Sequence, residues 1–358
     1  MIETKTDIEI TKTVKSGIDK VDFNELRFGA VFSDHMYQLD YKDGQWLNPQ
    51  IAPFGNMEFS PAMSGLHYGQ GVFEGLKAFR YNDGKINVFR AEDHYNRFTR
   101  SCKRVSIPEM DKNLFLDGLY TLIDIDRKWV PSEKYKSLYI RPFVFATDNF
   151  LGVRSSRTFR FLIITSPVGN YYEEGLKPVS LTTMPDYVRA VKGGVGNAKV
   201  PGNYAASIYP AEQAKAQGYT QVLWLDACDK KYIEEVGTMN IFFVIDNVLV
   251  TPALSGSILE GVTRKTVLKV AKELGFETEE RPISIDELFE ASEKGALQEV
   301  FGTGTAAVIS PVGKIHHADK NIEINNMEIG PAVKKIYNYI TGMHHGEVKE
   351  SYGWCHVY

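Results

Sequence analysis

Two runs of strand-forming residues, "SLYIRPFVFA" (137–146) and "TFRFLIIT" (158–165), follow one another with no helical pattern between them. The first alternates apolar and polar positions, and the second is rich in β-branched and aromatic residues. Helical periodicity sits elsewhere. Tyr95, Phe98, Cys102 and Val105 recur at helical spacing and predict a helix over 92–105. Further helices are expected over 113–129, near 204–217, and over 262–274, 284–294 and 329–343. In the one over 262–274, Val267, Val270, Ala271 and Leu274 form the apolar stripe, and Gly275 is a natural stop. Shorter strands are read at "KINVFR", "TQVLWLD" and "NIFFVID", and "LQEVFGTGTAAVIS" is strand-like. Strands and helices mix without alternating as βαβ units, which points to an α+β fold over a doubly wound sheet. The 358 residues suit one large domain or two of medium size. "PVGNYYEEGLKPV" (167–179) breaks periodicity and reads as a linker. The expected division is a small domain over 1–170, a linker over 171–181 and a large domain over 182–358.

Charge narrows the function classes. A net charge of -4 gives no basic excess for nucleic acid or an anionic membrane surface. No apolar run reaches membrane-spanning length. The first twenty residues have no apolar centre and carry Glu3, Asp7, Glu9 and Asp19, unlike a secretory or transit leader. Cys102, Cys228 and Cys355 show neither metal nor disulfide spacing and read as reduced thiols, so no metal is expected and the cytoplasm is the default location.

The stretch "GGVGNAKVPGNYAAS" sets one lysine, Lys199, amid glycines and a Pro-Gly-Asn-Tyr turn. An amine must be neutral to attack a carbonyl, and an apolar or cation-rich pocket lowers a lysine's pKa toward that state. A rigid turn would hold such an amine in place. The competing reading is an ordinary surface lysine, and spacing alone favours it. A phosphate-cradling Walker loop is excluded, because Asn197 and Ala198 separate Gly196 from Lys199 and Val200 follows. Three other segments alter the balance. "LEGVTR" puts Gly261, Val262 and Thr263 at a helix start, where free amides and the helix dipole suit a phosphate. "GTGTAA" (302–307) offers a second glycine–threonine turn for the same anion. "YIEEVGTMNIFF" places Glu234 and Glu235 before an apolar strand, where a carboxylate could pair with a protonated ring nitrogen or could be a solvated turn.

"NAKVPGNYAAS", "EEVGTMNIFF", "LEGVTR" and "GTGTAAV" stand in the order and spacing of the branched-chain aminotransferases, fold-type IV pyridoxal phosphate enzymes, which this chain resembles. "LHYGQGVFEGLKAF", "HYNRFTRS" and "LYIRPFVFATDNFLGV" extend the resemblance, which covers roughly 54–312. It implies a small N-terminal α/β domain, a larger domain with a mixed barrel-like sheet, and pyridoxal 5'-phosphate between them. The implied reaction moves the amino group of leucine, isoleucine or valine to 2-oxoglutarate in two half-reactions.

By the same resemblance Lys199 forms the Schiff base and then shuttles the proton. Tyr204 bonds the cofactor's phenolic oxygen, and Glu235 holds the ring nitrogen protonated. Leu259 packs on the ring. Gly261, Val262, Thr263 and Thr305 bind the phosphate with Arg97. Arg97, Arg100 and Arg104 form a basic stripe that would otherwise read as a solvated helix face, and only the match of "HYNRFTRS" singles out Arg97. Substrate contacts fall to Tyr68, Phe73, Tyr139, Arg141, Thr238 and Ala306. Val153 is implied to close the partner subunit's pocket in a homodimer. Tyr139 and Arg141, two apart on a strand, share a face, and Pro142 beside them suggests an edge or a bulge. Some relatives carry a Cys-x-x-Cys pair after the second phosphate turn; here Ala307 and Ser310 stand there. D-amino-acid aminotransferase and aminodeoxychorismate lyase are shorter rivals, and "YIRP" with "YGQGVFEGLKAF" favours the branched-chain enzymes.

Overall fold

The computed structural model describes residues 5–169 and 177–358. The chain divides into two compact units. The first holds the N-terminal residues together with Ala198–Pro201 and Met343–Tyr358, and the second includes Gly202–Gly342. Lys199 thus groups with the first unit. The expected linker over 167–179 falls largely on residues 170–176, outside the described residues; the strand before it runs through Val168.

Strands of the first unit are β1 (Glu9–Ile10), β2 (His35–Lys42), β3 (Gln45–Pro53), β4 (Gly71–Phe73), β5 (Leu76–Arg80), β6 (Ile86–Phe89), β7 (Ser137–Ala146) and β8 (Phe159–Val168). They form one sheet in the order β1-β3-β2-β8-β7-β5-β6, closed by a C-terminal strand, Cys355–Val357, with β4 also on β7. Its helices are α1 (Ser64–Tyr68), α2 (Ala91–Arg104) and α3 (Lys112–Ile125). Helix α2 carries Glu92 and Asp93 in its first turn and Lys103 and Arg104 in its last, each complementing the helix dipole. Helix α3 starts at Asp111, whose side chain accepts from the Asn113 amide. Both helices bury aromatic rings against the sheet. Phe98, Phe115 and Phe161 meet at centroid distances of 5.4–5.5 Å, and Tyr37 joins Phe161 at 6.2 Å. Each such ring contributes on the order of 2–3 kcal/mol by leaving water. The close approach depends on Gly118, where a Cβ would lie 2.2 Å from the Tyr37 ring.

Pro142 departs from the sequence expectation of an edge or a bulge. Strand β7 is central and pairs with β8 along its whole length without a register shift. On its other side β4 and β5 share one register but leave Glu74 and Gly75 outside both strands. The Glu74 amide donates to the Pro142 carbonyl at 2.7 Å. The reciprocal bond is the one proline cannot make, so the missing donor faces the gap between β4 and β5.

The second unit contains β9 (Val179–Thr183), β10 (Gln221–Leu225), β11 (Ile233–Val236), β12 (Asn240–Ile245), β13 (Val248–Thr251), β14 (Glu277–Glu280), β15 (Leu297–Gly304), β16 (Val308–His317) and β17 (Lys320–Glu323). The helices are α4 (Pro201–Ala216), α5 (Val262–Glu273), α6 (Ile285–Glu293) and α7 (Pro331–His344). The strand order is β11-β10-β9-β16-β15-β12-β13-β14, with β17 on β16. The sheet is mixed: β9 pairs in parallel with β10 and β16, as does β13 with β14, and the other pairs are antiparallel. Strands β11 and β12 stand far apart in this order, yet Val236 bridges to Met239 across the Gly237–Thr238 turn. Only a sheet that curls round on itself permits both, which is the barrel-like form expected. Leu223, Val236, Ile241, Phe243, Leu288, Val300 and Ile315 fill the resulting core. Helix α5 stops as read, with Gly275 at φ 86°. The strand-like run over 297–310 resolves into β15 and β16 with a turn over 305–307.

Candidate active site

In the first unit the peptide of Lys199 is held from both sides. Its amide donates to Ser101 Oγ on α2 at 2.9 Å, and its carbonyl accepts from the Phe73 amide at the end of β4 at 3.1 Å. The ammonium lies 4.8 Å from the centre of the Phe73 ring. Arg141 approaches the same ring, also at 4.8 Å, and its Nη2 donates to the Tyr139 hydroxyl at 2.9 Å. The alternation of β7 puts Tyr139 and Arg141 on one face, as expected, with Phe73 beside them. Arg141 Nε is buried without a hydrogen-bond partner, a donor whose hydrogen bond is left unmade. Lys77 stands opposite Tyr139 in the register, and burial pushes its amine down to about 8.

Gly75 makes this cluster possible. A Cβ there would lie 2.0 Å from the Tyr139 hydroxyl oxygen. Tyr139 is itself buried and bonded to Arg141, so it has little room to give. Gly75→Ala is therefore expected to leave a folded protein with the Tyr139–Arg141 pair displaced; on the substrate role that the family resemblance implies for this pair, kcat/KM falls by about 10- to 100-fold, the effect of misplacing a substrate contact by about an ångström. Steady-state kinetics beside a thermal melt check this.

Tyr68 takes a different place. It ends α1, is half exposed, and its hydroxyl donates to the Leu151 carbonyl. Val153, two residues on, is 86% exposed.

Behind the cluster, α2 presents His94, Arg97 and Ser101 on its buried side, whereas Arg100 and Arg104 are not buried. The solvated-stripe reading therefore holds for two of the three arginines and fails for Arg97. Arg97 Nε and Nη2 donate to the two oxygens of Glu74 at 2.7 and 2.8 Å. His94 Nδ1 lies 2.7 Å from Glu74 Oε2. Burial alone would raise the Glu74 pKa, but Arg97 and His94 hold it well below the usual carboxylate range. Burial pushes His94 below its ordinary value, against the pull of Glu74. Glu74 is absent from the sequence reading, although the signal is there: an acid inside the apolar run "GVFEGLKAF" can be buried only with a partner.

In the second unit Glu235 lies beside the segment that leads into the helix start read as an anion site. Glu235 and Glu234 are both buried, which overturns the solvated-turn alternative. Glu235 Oε1 accepts from the Leu259 amide at 2.7 Å and from Asn240 Nδ2 at 3.4 Å. Its Oε2 lies 3.1 Å from Arg189 Nε. Glu234 turns instead to Ser255 and Ser257, whose hydroxyls donate to Oε1. Asn240 Nδ2 also donates to the Leu259 carbonyl at 2.8 Å, and a Cβ on Gly261 would lie 2.0 Å from Asn240 Oδ1. Gly261 thus lets the start of α5 close onto Glu235. Helix α5 opens at Gly261 with no side-chain cap, so Val262 and Thr263 begin an amide-rich terminus. Asn240 pairs with Thr303, which brings the Thr238 turn and the Thr305–Ala306 turn to one end of the sheet. The Thr303 hydroxyl is buried without a partner there. Tyr204 lies half-buried in the first turns of α4. Arg189 and Asn240 are further residues that sequence reasoning missed. Asn240 sits at the head of an apolar strand, where a buried amide is a signal; Arg189 lies in irregular chain that offers none.

This donor set fits pyridoxal phosphate. The first unit offers the amine of Lys199, suited to an aldehyde, and the second by itself offers a buried carboxylate, a helix terminus and an unpartnered threonine hydroxyl, suited to a ring nitrogen and a phosphate. The amino-transferase class IV model matches residues 71–315. Branched-chain-amino-acid aminotransferase 2 of Bacillus subtilis is 50% identical over 97% of this chain and 95% of its own. Among solved structures, the Escherichia coli branched-chain amino acid aminotransferase has a TM-score of 0.74 at 28% identity, covering 90% of this chain and 98% of that one. The branched-chain aminotransferase of the archaeon Thermoproteus uzoniensis, solved with norvaline, has a TM-score of 0.73 at 27% identity, covering 90% and 99%. With matches of this extent, the chain belongs to the class IV aminotransferases, among the branched-chain-amino-acid aminotransferases.

Proposed function

We propose that this enzyme transfers the amino group of leucine, isoleucine or valine to 2-oxoglutarate, using pyridoxal 5'-phosphate, as a cytoplasmic homodimer. The observation that carries the reading is the Lys199 peptide, pinned between Ser101 and Phe73 beside the Tyr139–Arg141 pair. When bound, the cofactor supplies a carbon that accepts and returns the amino group and a ring that draws electrons from the substrate Cα. The protein does the rest. Lys199 Nζ serves as nucleophile and then takes the proton from Cα, acting from a fixed backbone. Glu235, with its ion pair to Arg189, keeps a negative charge where a ring N–H can donate to it. Tyr204 offers a hydroxyl to the phenolic oxygen. Leu259 packs on the ring, while Gly261, Val262, Thr263, Thr305 and Arg97 hold the phosphate.

One pocket must take both an aliphatic side chain and a carboxylate, and a carboxylate cannot be buried unpaired. Phe73 gives the apolar wall, Tyr68, Thr238 and Ala306 complete the contacts, and Val153 reaches the partner's pocket. Arg141, with its unpartnered Nε, takes the distal carboxylate and otherwise rests on Tyr139. Arg141→Met is expected to lower the efficiency of the glutamate half-reaction by about 2–5 kcal/mol and to spare the leucine half-reaction. Single-turnover measurement of each half-reaction decides this. Equal damage to both would place Arg141 on the α-carboxylate instead.

The family of substrates is tested by absorbance. Purified protein is expected to be yellow, to lose that band on adding leucine alone, and to regain it with 2-oxoglutarate. A colourless protein that binds no added pyridoxal phosphate overturns the cofactor assignment. Conversion by D-alanine but not leucine moves the enzyme to the D-amino-acid branch.

A further inference from the structure

We infer that Glu74 is a positioning residue for the phosphate end of the cofactor site, acting through Arg97. The inference rests on the proposed role of Arg97 and extends it to a buried carboxylate that touches neither cofactor nor substrate. Three observations support it. Glu74 is fully buried, and both its oxygens are committed: Oε1 takes Arg97 Nε, while Oε2 takes Arg97 Nη2, His94 Nδ1 and the Gly75 amide. A two-pronged pair of this kind fixes both the position of a guanidinium and the rotation of its plane. An arginine held only by its flexible stem would sample many orientations, and ordering it would oppose ligand binding. Second, His94 Nδ1 lies 2.7 Å from the same Glu74 oxygen that takes Arg97 Nη2, so another buried side chain helps to fix the carboxylate in place. Third, the backbone of the same dipeptide ties in the rest of the cluster: the Phe73 amide holds the Lys199 carbonyl, and the Glu74 amide holds Pro142, next to Arg141. Strand alternation then separates the two tasks. Phe73 and Gly75 face Tyr139 and Arg141, whereas Glu74 faces α2. A small shift at Glu74 would disturb the phosphate anchor first.

The test compares two ligands that differ only in the phosphate. Full-length protein is stripped of cofactor and titrated with pyridoxal phosphate and with pyridoxal, following absorbance. Glu74→Gln keeps the shape but removes the charge that pairs with Arg97. It is expected to weaken pyridoxal phosphate by about 10- to 100-fold, the usual effect of removing a group that orients a ligand-holding side chain, and to leave pyridoxal unchanged. Glu74→Asp, which keeps the charge and shortens the reach, is read the same way should Glu74→Gln fail to accumulate as folded protein. Arg97→Ala is measured alongside. If Arg97→Ala weakens pyridoxal phosphate selectively and Glu74→Gln added to it weakens it no further, Glu74 acts through Arg97. Equal weakening of both ligands by Glu74→Gln, or no weakening of either, overturns the inference. A failure of Arg97→Ala itself to discriminate between the ligands overturns the phosphate role of Arg97, a different result.

Discussion

Lys199→Ala is expected to abolish transamination, with a fall in kcat of at least about 10⁴-fold, since one substitution removes the group proposed as both nucleophile and proton carrier. The fold should survive. What holds this segment is the Lys199 backbone, through Ser101 Oγ and the Phe73 amide, and alanine keeps both bonds. The side chain is only half-buried and rests against Phe73, so its loss leaves no deep cavity. Phosphate contacts do not involve the lysine in the proposed site, and the variant is expected to retain pyridoxal phosphate without the covalent link. Borohydride treatment followed by mass spectrometry separates these outcomes: adduct at Lys199 in the parent, and none in the variant. Near-normal turnover in Lys199→Ala would overturn the proposed mechanism.

Glu235→Gln carries the next largest effect, and it acts on two quantities. Loss of the charge proposed to face the ring nitrogen should lower kcat by about 100-fold, near 3 kcal/mol in barrier. It also leaves Arg189, a buried cation, without its ion-pair partner, for a stability loss of about 3 kcal/mol. The Leu259 amide and Asn240 still find an acceptor in the glutamine oxygen, so local geometry should hold. Urea melts and kcat measured well below the midpoint keep the two effects apart. Glu234→Gln should leave kcat close to normal, because Glu234 turns to Ser255 and Ser257. The reverse ranking would transfer the role to Glu234.

Elements with strong period or clear punctuation were legible from sequence. The spacing of Tyr95, Phe98 and Cys102 marked α2, and Gly275 marked the stop of α5. Curvature was not legible. That β11 and β12 meet across a tight turn while lying apart in the strand order depends on pairings with β9 and β16, distant in sequence. Pro142 misled because a missing donor was read as a sheet edge, when an interrupted neighbour serves equally well. No single motif decided Lys199, Glu235 or the helix start at Gly261; the order and spacing of several motifs, matched to one family, singled them out. The ion-pair partners Glu74, on Arg97, and Arg189, on Glu235, come from other segments, and no spacing rule connects an ion pair across the fold. The three arginines of α2 look alike in sequence, and burial against Glu74 is what separates Arg97 from the others.

The chain as a whole is acidic, with a net charge of -4, yet the Phe73 region is not. Arg141 and Lys199 both approach the Phe73 ring, and Arg97 stands behind it with Glu74 as the paired carboxylate. Such a local surplus of positive charge draws anions inward from several ångströms away, against the field of the rest of the surface. Oxo acids arrive as anions and branched-chain amino acids as zwitterions, so the two classes of substrate feel this field unequally. Ionic strength screens it over about 8–10 Å near physiological salt. Encounter rates for the oxo acids are therefore set partly by the medium, and because each direction of the reaction consumes one oxo acid, added salt slows both directions together while their ratio stays fixed by the substrates.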